Sequence, residues 1–189
     1  MPDSTQNPTK IYPIDRLVRL LVEKAEPSQG KPGDRGTLAA LRAWSRDASK
    51  HLAFAPMADL LNHSGAGVQR LDDPVWTAIP ALFAWHRRHT PNPRHNFGVT
   101  CRNLAGDRRE AFDAHFRRIL ACDSFDNLLG LLPTYVRRAE AASEPINFTL
   151  LFWDLTQWRK SPEGARAIKV RWAKQYYQVP AEEPTFEAP

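Results

Sequence analysis

The stretch HFRRILACDSFDNLLGLLPTYVRRAEAASEPINFTLLFWDLTQW, residues 115–158, decides the fold class. Its apolar residues recur three and four positions apart, the spacing of helices that bury one side. Leu128, Leu132, Tyr135, Val136 and Ala139 form the inward stripe of a helix opened by Asp123 or Ser124, with Pro133 expected to kink it. Asn147 caps a further helix with Phe148, Leu151, Phe152 and Leu155 inward. Upstream, Asp107 and Glu110 have capping-box spacing and open a helix that buries Phe112, Phe116, Ile119 and Leu120. Downstream, Ser161-Pro162-Glu163 opens another, with Ala165, Ile168, Trp172 and Val179 on one side. Four amphipathic helices with short connections predict an antiparallel four-helix bundle.

In the first half, glycine and proline mark the breaks. Ile14 to Ala25 reads as a helix, followed by the linker EPSQGKPGDRG. A second helix is predicted from about Arg35 to residue 49, then a Pro56-interrupted helix to Leu61 and the loop NHSGAGVQRLDD. Asp73-Pro74 supplies an N-cap and a first-turn proline for a helix running to about His89. TPNPRHN is loop, and Phe97 to Leu104 is a short helix. No segment combines two-residue alternation with β-branched enrichment. The chain reads as all-α.

On the second helix Arg42, Arg46 and Lys50 recur at every fourth residue, opposite Leu38, Leu41, Ala48 and Leu52. At about 100° per residue the three cations share an arc of roughly 80°, into which Arg35 also projects. At ~1.5 Å per residue, Arg42 to Lys50 spans about 12 Å, a line of charge suited to a chain of phosphates. Taken alone, such a ridge is better explained as a solvated face. The rest of the chain tips the reading. Residues 35–179 hold 21 cations against 13 acids, whereas 1–34 balance five against five and 180–189 carry three acids and no cation. A body this basic favours nucleic acid before anionic membrane, because neutralising phosphates releases counterions. Arginine pairs stand at 87–88, 108–109, 117–118 and 137–138. Arg117 and Arg118 flank the stripe of their helix, and Arg137 points away from its own. Arg108 and Arg109 oppose the macrodipole in a first turn at ~0.3–1 kcal/mol each, which suggests a partner there.

Other chemistry finds little support. The composition, 42% hydrophobic and 25% charged, is that of an ordinary globular domain. MPDSTQNPTK lacks the apolar core of a signal peptide, and the apolar run Leu128 to Val136 is too short to cross a bilayer. Cys101 and Cys122 suggest no disulfide framework. A cytoplasmic protein with no membrane partner is expected. His86 and His89 give H-x-x-H with arginines between them, not the H-E-x-x-H of zinc proteases. Cys101, His115 and Cys122 lack paired ligand spacing, and Asp123 with Asp126 reads as helix capping. Neither a Gly-rich phosphate loop nor a nucleophile elbow is present. No catalytic residue, cofactor or metal is expected. Trp153, off its helix's stripe, is expected to pack on a second helix rather than stack on a base. Trp44, Trp76, Trp85 and Trp158 read as core or subunit contacts.

Four blocks in order then carry a family resemblance: GTLAALRAW (36–44), NFGVTCRNLAGD (96–107), the stretch 115–158 and VRWAKQYY (170–177). Together they resemble the CasB family, the small subunit of the type I-E CRISPR Cascade surveillance complex, from about Gly36 to Tyr177. The polar leader 1–10, expected flexible, the glycine-containing loop at 62–70 and the acidic tail 180–189, expected disordered, match nothing in it. The resemblance implies an all-helical, non-catalytic protein of two small subdomains, 11–105 and 106–179. It implies two copies head to tail, bridging the backbone subunits that carry guide RNA and the large subunit. It also implies a basic surface that holds the single DNA strand displaced in the R-loop. Exchanging a DNA duplex for an RNA–DNA heteroduplex is near energetic balance, so contacts to the displaced strand can tip it. Arg42, Arg117, Arg118, Arg137 and Arg138 carry over from the matching blocks as nucleic-acid-binding residues. Arg46 and Lys50 extend the set by periodicity, and Arg102 by its place in NFGVTCRNLAGD. The alternative is a helical scaffold whose basic faces dock acidic proteins and touch no nucleic acid; a metal-dependent nuclease is a more distant rival.

Overall fold

The computed structural model describes residues 11–26, 33–44, 47–106 and 109–178. The polar leader, part of the first linker, Arg46, the Asp107 cap and the acidic tail lie outside the described residues. Among the described residues the chain is all-α. The first half holds α1 (Pro13–Ala25), α2 (Arg35–Ala43), α3 (Phe54–His63) and α4 (Pro74–Trp85), with 3₁₀ segments at Asp47–Ala53 and Val68–Asp72. The second holds α5 (Phe97–Ala105), α6 (Arg109–Leu120), α7 (Phe125–Ala142), α8 (Phe148–Lys160) and α9 (Pro162–Tyr177).

Short polar side chains start these helices by accepting from otherwise unpaired N–H groups. Asp73, Ser124, Asn147 and Ser161 cap α4, α7, α8 and α9, as their positions in the sequence predict. Asp34 and Asn96 do the same for α2 and α5, accepting from Thr37 N–H at 2.9 Å and Val99 N–H at 3.2 Å. α7 runs through Pro133.

The helix predicted over 35–49 is broken. α2 ends at Ala43 and the chain re-enters as the 3₁₀ segment Asp47–Ala53. Tertiary contacts hold the residues at the end of α2. Arg42 Nε donates to the Ala84 carbonyl of α4 at 2.7 Å, and the Trp44 ring meets Phe54 edge-on at 5.3 Å. A 3₁₀ turn holds about three residues, so the every-fourth-residue ridge does not continue through it. Leu52, predicted on the apolar side, is 58% exposed.

α4 also stops earlier than predicted, at Trp85. His86 is buried, and its Nε2 donates to the Glu144 carbonyl at 2.6 Å. Residues 88–90 then pair with Ile146, whose N–H reaches Arg88 O at 3.1 Å and whose carbonyl accepts from Thr90 N–H at 3.2 Å. His89 Nδ1 accepts from Phe148 N–H at 3.3 Å. Both histidines of the H-x-x-H pattern are therefore stitches, and burial lowers the pKa of each.

α4 is the hub. Val75, Thr77 and Ile79 to Ala84 are buried, so it is apolar on most sides, as suits a helix enclosed by others. It packs on α2, α7 and α8, and burying each of Ile79, Leu82 and Phe83 contributes about 1.5–3 kcal/mol. One core runs from Leu17 in α1 to Tyr176 in α9. α8 pairs with α9, while α5, from the other side of position 105, packs on α6, α7 and α9. The α5–α9 approach depends on Gly98, where a Cβ would stand 2.2 Å from the Trp172 carbonyl oxygen. Asp154 of α8 is 1% exposed and accepts from Trp172 Nε1 at 2.5 Å and from Arg171. Burial raises its pKa to about 6, against the pull of Trp172 and Arg171.

Candidate nucleic-acid interface

The buried body of α4 delivers its last residue, Trp85, to a surface between α2 and α7. Arg42 arrives from α2 and Arg137 from the exposed face of α7, their guanidinium carbons 5.7 and 5.2 Å from the Trp85 ring centroid. Each such cation–ring contact contributes about 0.5–1 kcal/mol at an exposed site. Besides its bond to Ala84 O, Arg42 is half-buried rather than fully exposed. Arg137 Nε donates to the Pro133 carbonyl one turn back at 3.2 Å. Exposed Arg87 completes the group. Burial and the neighbouring Arg87 charge lower the Arg42 pKa, and Glu140 pulls it the other way. An aromatic ring and backbone carbonyls orient both guanidinium groups side by side. That is the useful property of this cluster.

A second basic face lies on α6 and α7. Arg138 Nη2 stands 3.3 Å from His115 Nε2, and its guanidinium lies 5.7 Å from the Phe112 ring centroid. Arg118 and Arg138 both oppose the burial that raises the Tyr135 phenol's pKa, which places their charges around one ring. Consecutive residues Arg137 and Arg138 thus carry α7 into both groups. Arg117 is exposed, 3.8 Å from Asp113, and bonding to Tyr177 raises its pKa.

Two other sequence-selected positions lie elsewhere. Arg102 Nη1 donates to the Gln175 carbonyl at 3.3 Å, and Arg109 Nη2 to the Tyr176 carbonyl at 2.6 Å. Both arginines therefore answer the carbonyls at the C-terminal end of α9, where cations are favoured. The partner that Arg109 calls for in the sequence is this helix end. Lys50 sits with Nζ 4.7 Å over the Trp44 ring. Arg42 and Lys50 thus lie on different helical segments, and Arg42 groups with side chains of α4 and α7. Trp153 is partly exposed and packs edge-on at 5.6 Å against Tyr12, the N-cap residue of α1.

The family model described as CRISPR-associated protein Cse2 matches residues 37–177, three quarters of the chain. The chain belongs to the Cse2 family. Cse2 proteins are the small, structural subunits of type I-E Cascade, in agreement with the resemblance read from the four blocks. No curated protein and no solved structure matches significantly. All eight sequence-selected residues fall inside the Cse2 match. Among the described residues no helix is long and apolar enough to cross a membrane, and no group of three or more His, Cys, Asp or Glu side chains could hold a metal ion.

Sequence reasoning missed Trp85 as the centre of the cluster, and Arg87 as a member. The available signal was WHRR, an indole followed by two cations just past an apolar helix. Only the placement of α2 and α7 turns that signal into a site.

Proposed function

We propose that this Cse2 subunit holds the displaced, non-target DNA strand of the R-loop on the basic surface formed by Arg42, Arg87 and Arg137, continued by Arg118 and Arg138. The observation that carries the reading is the Arg42–Trp85–Arg137 group, two guanidinium groups from α2 and α7 oriented at one ring. Such a surface grips phosphates and reads no base edge, as strand retention without sequence preference requires. Lys50 and Arg117 lie at its margins, whereas Arg102 acts mainly by bracing α9. Its partners are the guide-RNA ribonucleoprotein with its backbone and large subunits, and a second copy of the chain. The subunit contributes binding, not chemistry, and cleavage by the purified protein with magnesium or manganese would overturn that part.

The test is protection of the displaced strand from a single-strand nuclease in the assembled complex. Wild-type subunit is expected to shield the strand, and Arg42→Gln with Arg137→Gln to expose it while the complex still assembles. Equal protection with and without the subunit would leave only the acidic-protein scaffold reading.

A further inference from the structure

A cavity of about 310 Å³ opens beside the basic cluster. Its walls are Ala78, Ala81 and Leu82 of α4, Leu129 and Pro133 of α7, and the Trp44 side chain, with Lys50 and Asp72 also lining it. The size is at the lower end of ligand sites, ~300–1,000 Å³, and suits a flat fragment rather than a large molecule.

Its position is informative. Ala81 lies one turn before Trp85 on α4, and Pro133 one turn before Arg137 on α7. The slot therefore sits ~5–6 Å along the same two helices from the Arg42–Arg137 cations. An apolar slot next to a phosphate-binding group fits a polymer whose charged backbone and flat apolar side groups alternate. Trp44 supplies the ring, with the Lys50 ammonium 4.7 Å from its centroid and Phe54 edge-on at 5.3 Å. The ammonium contact is weak enough to exchange.

We propose that this cavity is a nucleobase subsite: one unpaired base of the bound strand enters it and stacks on Trp44. The entering base replaces the Lys50 ammonium, which turns to the adjoining phosphate. The inference rests on the strand-holding reading above and adds a base-dependent, sequence-tolerant contact to it. Stacking on an aromatic side chain is sequence-tolerant because every base has a π face.

The experiment compares a short single-stranded oligodeoxynucleotide with an all-abasic strand of the same length. Binding is read by fluorescence anisotropy on the full chain and on the assembled complex. Wild type is expected to bind the base-bearing strand about tenfold more tightly than the abasic one. Trp44→Leu keeps apolar volume without a ring, and is expected to bind both strands equally, at the abasic affinity. Trp44→Phe is expected to restore most of the difference. Because the abasic comparison leaves the protein untouched, a misfolded variant does not decide the question. Equal, salt-sensitive binding of both strands by wild type would overturn the base subsite and leave the strand-holding function standing. A base preference that Trp44→Leu retains would place the stacking elsewhere and also overturn it. Absence of binding to either strand would remove both.

Discussion

Two arginine sites in this molecule look alike in composition and behave oppositely. At α8–α9, Arg171 and Trp172 meet a carboxylate, Asp154, that is almost wholly buried. At α2–α4–α7, Arg42 and Arg137 meet an indole and backbone carbonyls. The first site cancels its charge inside the fold and ties two helices together. The second brings two guanidinium groups together at a ring and at carbonyls, with no buried carboxylate among the contacts described. The difference separates arginines that hold the protein together from arginines that can hold something else.

The largest expected effect lies at the first site. Asp154→Ala leaves the buried Trp172 N–H without its acceptor and Arg171 without its partner. Arg171 is half-exposed, so the cost, about 3 kcal/mol, comes mainly from the orphaned Trp172 N–H and lowers the melting temperature by roughly 6–12 °C. The same carboxyl gives a pH signature. Its folded-state pKa of about 6 lies above the ordinary carboxylate value of ~3.9, so folding favours its protonated form. The stabilisation from this group is complete below about pH 4 and is lost as pH rises through about 6. Asp154→Asn should therefore flatten the urea midpoint between those values. An unchanged pH profile would show that the ion pair, rather than burial, governs this carboxyl.

Next in size is the packing that positions both sites. Gly98→Ala places a methyl 2.2 Å from the Trp172 carbonyl oxygen and forces α5 from α9, at about 1–3 kcal/mol. Thermal unfolding measures this, and a melting temperature equal to wild type would mean that the two helices separate freely. The smallest stability effect is expected at the second site. Arg42→Gln with Arg137→Gln removes two cation–ring contacts, about 1–2 kcal/mol together, while the glutamine amide keeps an N–H donor for a carbonyl. A larger loss of stability would move these arginines into the same class as Arg171.

The comparison also shows what was legible beforehand. The apolar stripes of α6 to α9 and the caps at Asp73, Ser124, Asn147 and Ser161 depend on neighbours within a few residues, so local spacing reveals them. The end of α2 at Ala43 depends on Ala84, some forty positions away, and on Phe54, and no periodicity anticipates either contact. Arg42 and Lys50 therefore stand in two different helical segments rather than on one predicted helix. Arg42 still enters a basic cluster, through tertiary placement rather than helical repeat. Likewise the sequence suggests a partner for Arg109 and nucleic acid for Arg102, and no local spacing shows that both meet the last carbonyls of α9.

The most direct measurement is the salt dependence of single-stranded DNA binding, on the full chain and in the assembled complex. About four neutralised phosphates at ~0.7 each give a slope of log affinity against log salt near −3 for wild type. Arg42→Gln with Arg137→Gln should bring that slope to about −1.4, with a melting temperature within roughly 4–8 °C of wild type. A slope that the double variant leaves unchanged, or no DNA binding even at low salt, would contradict the account.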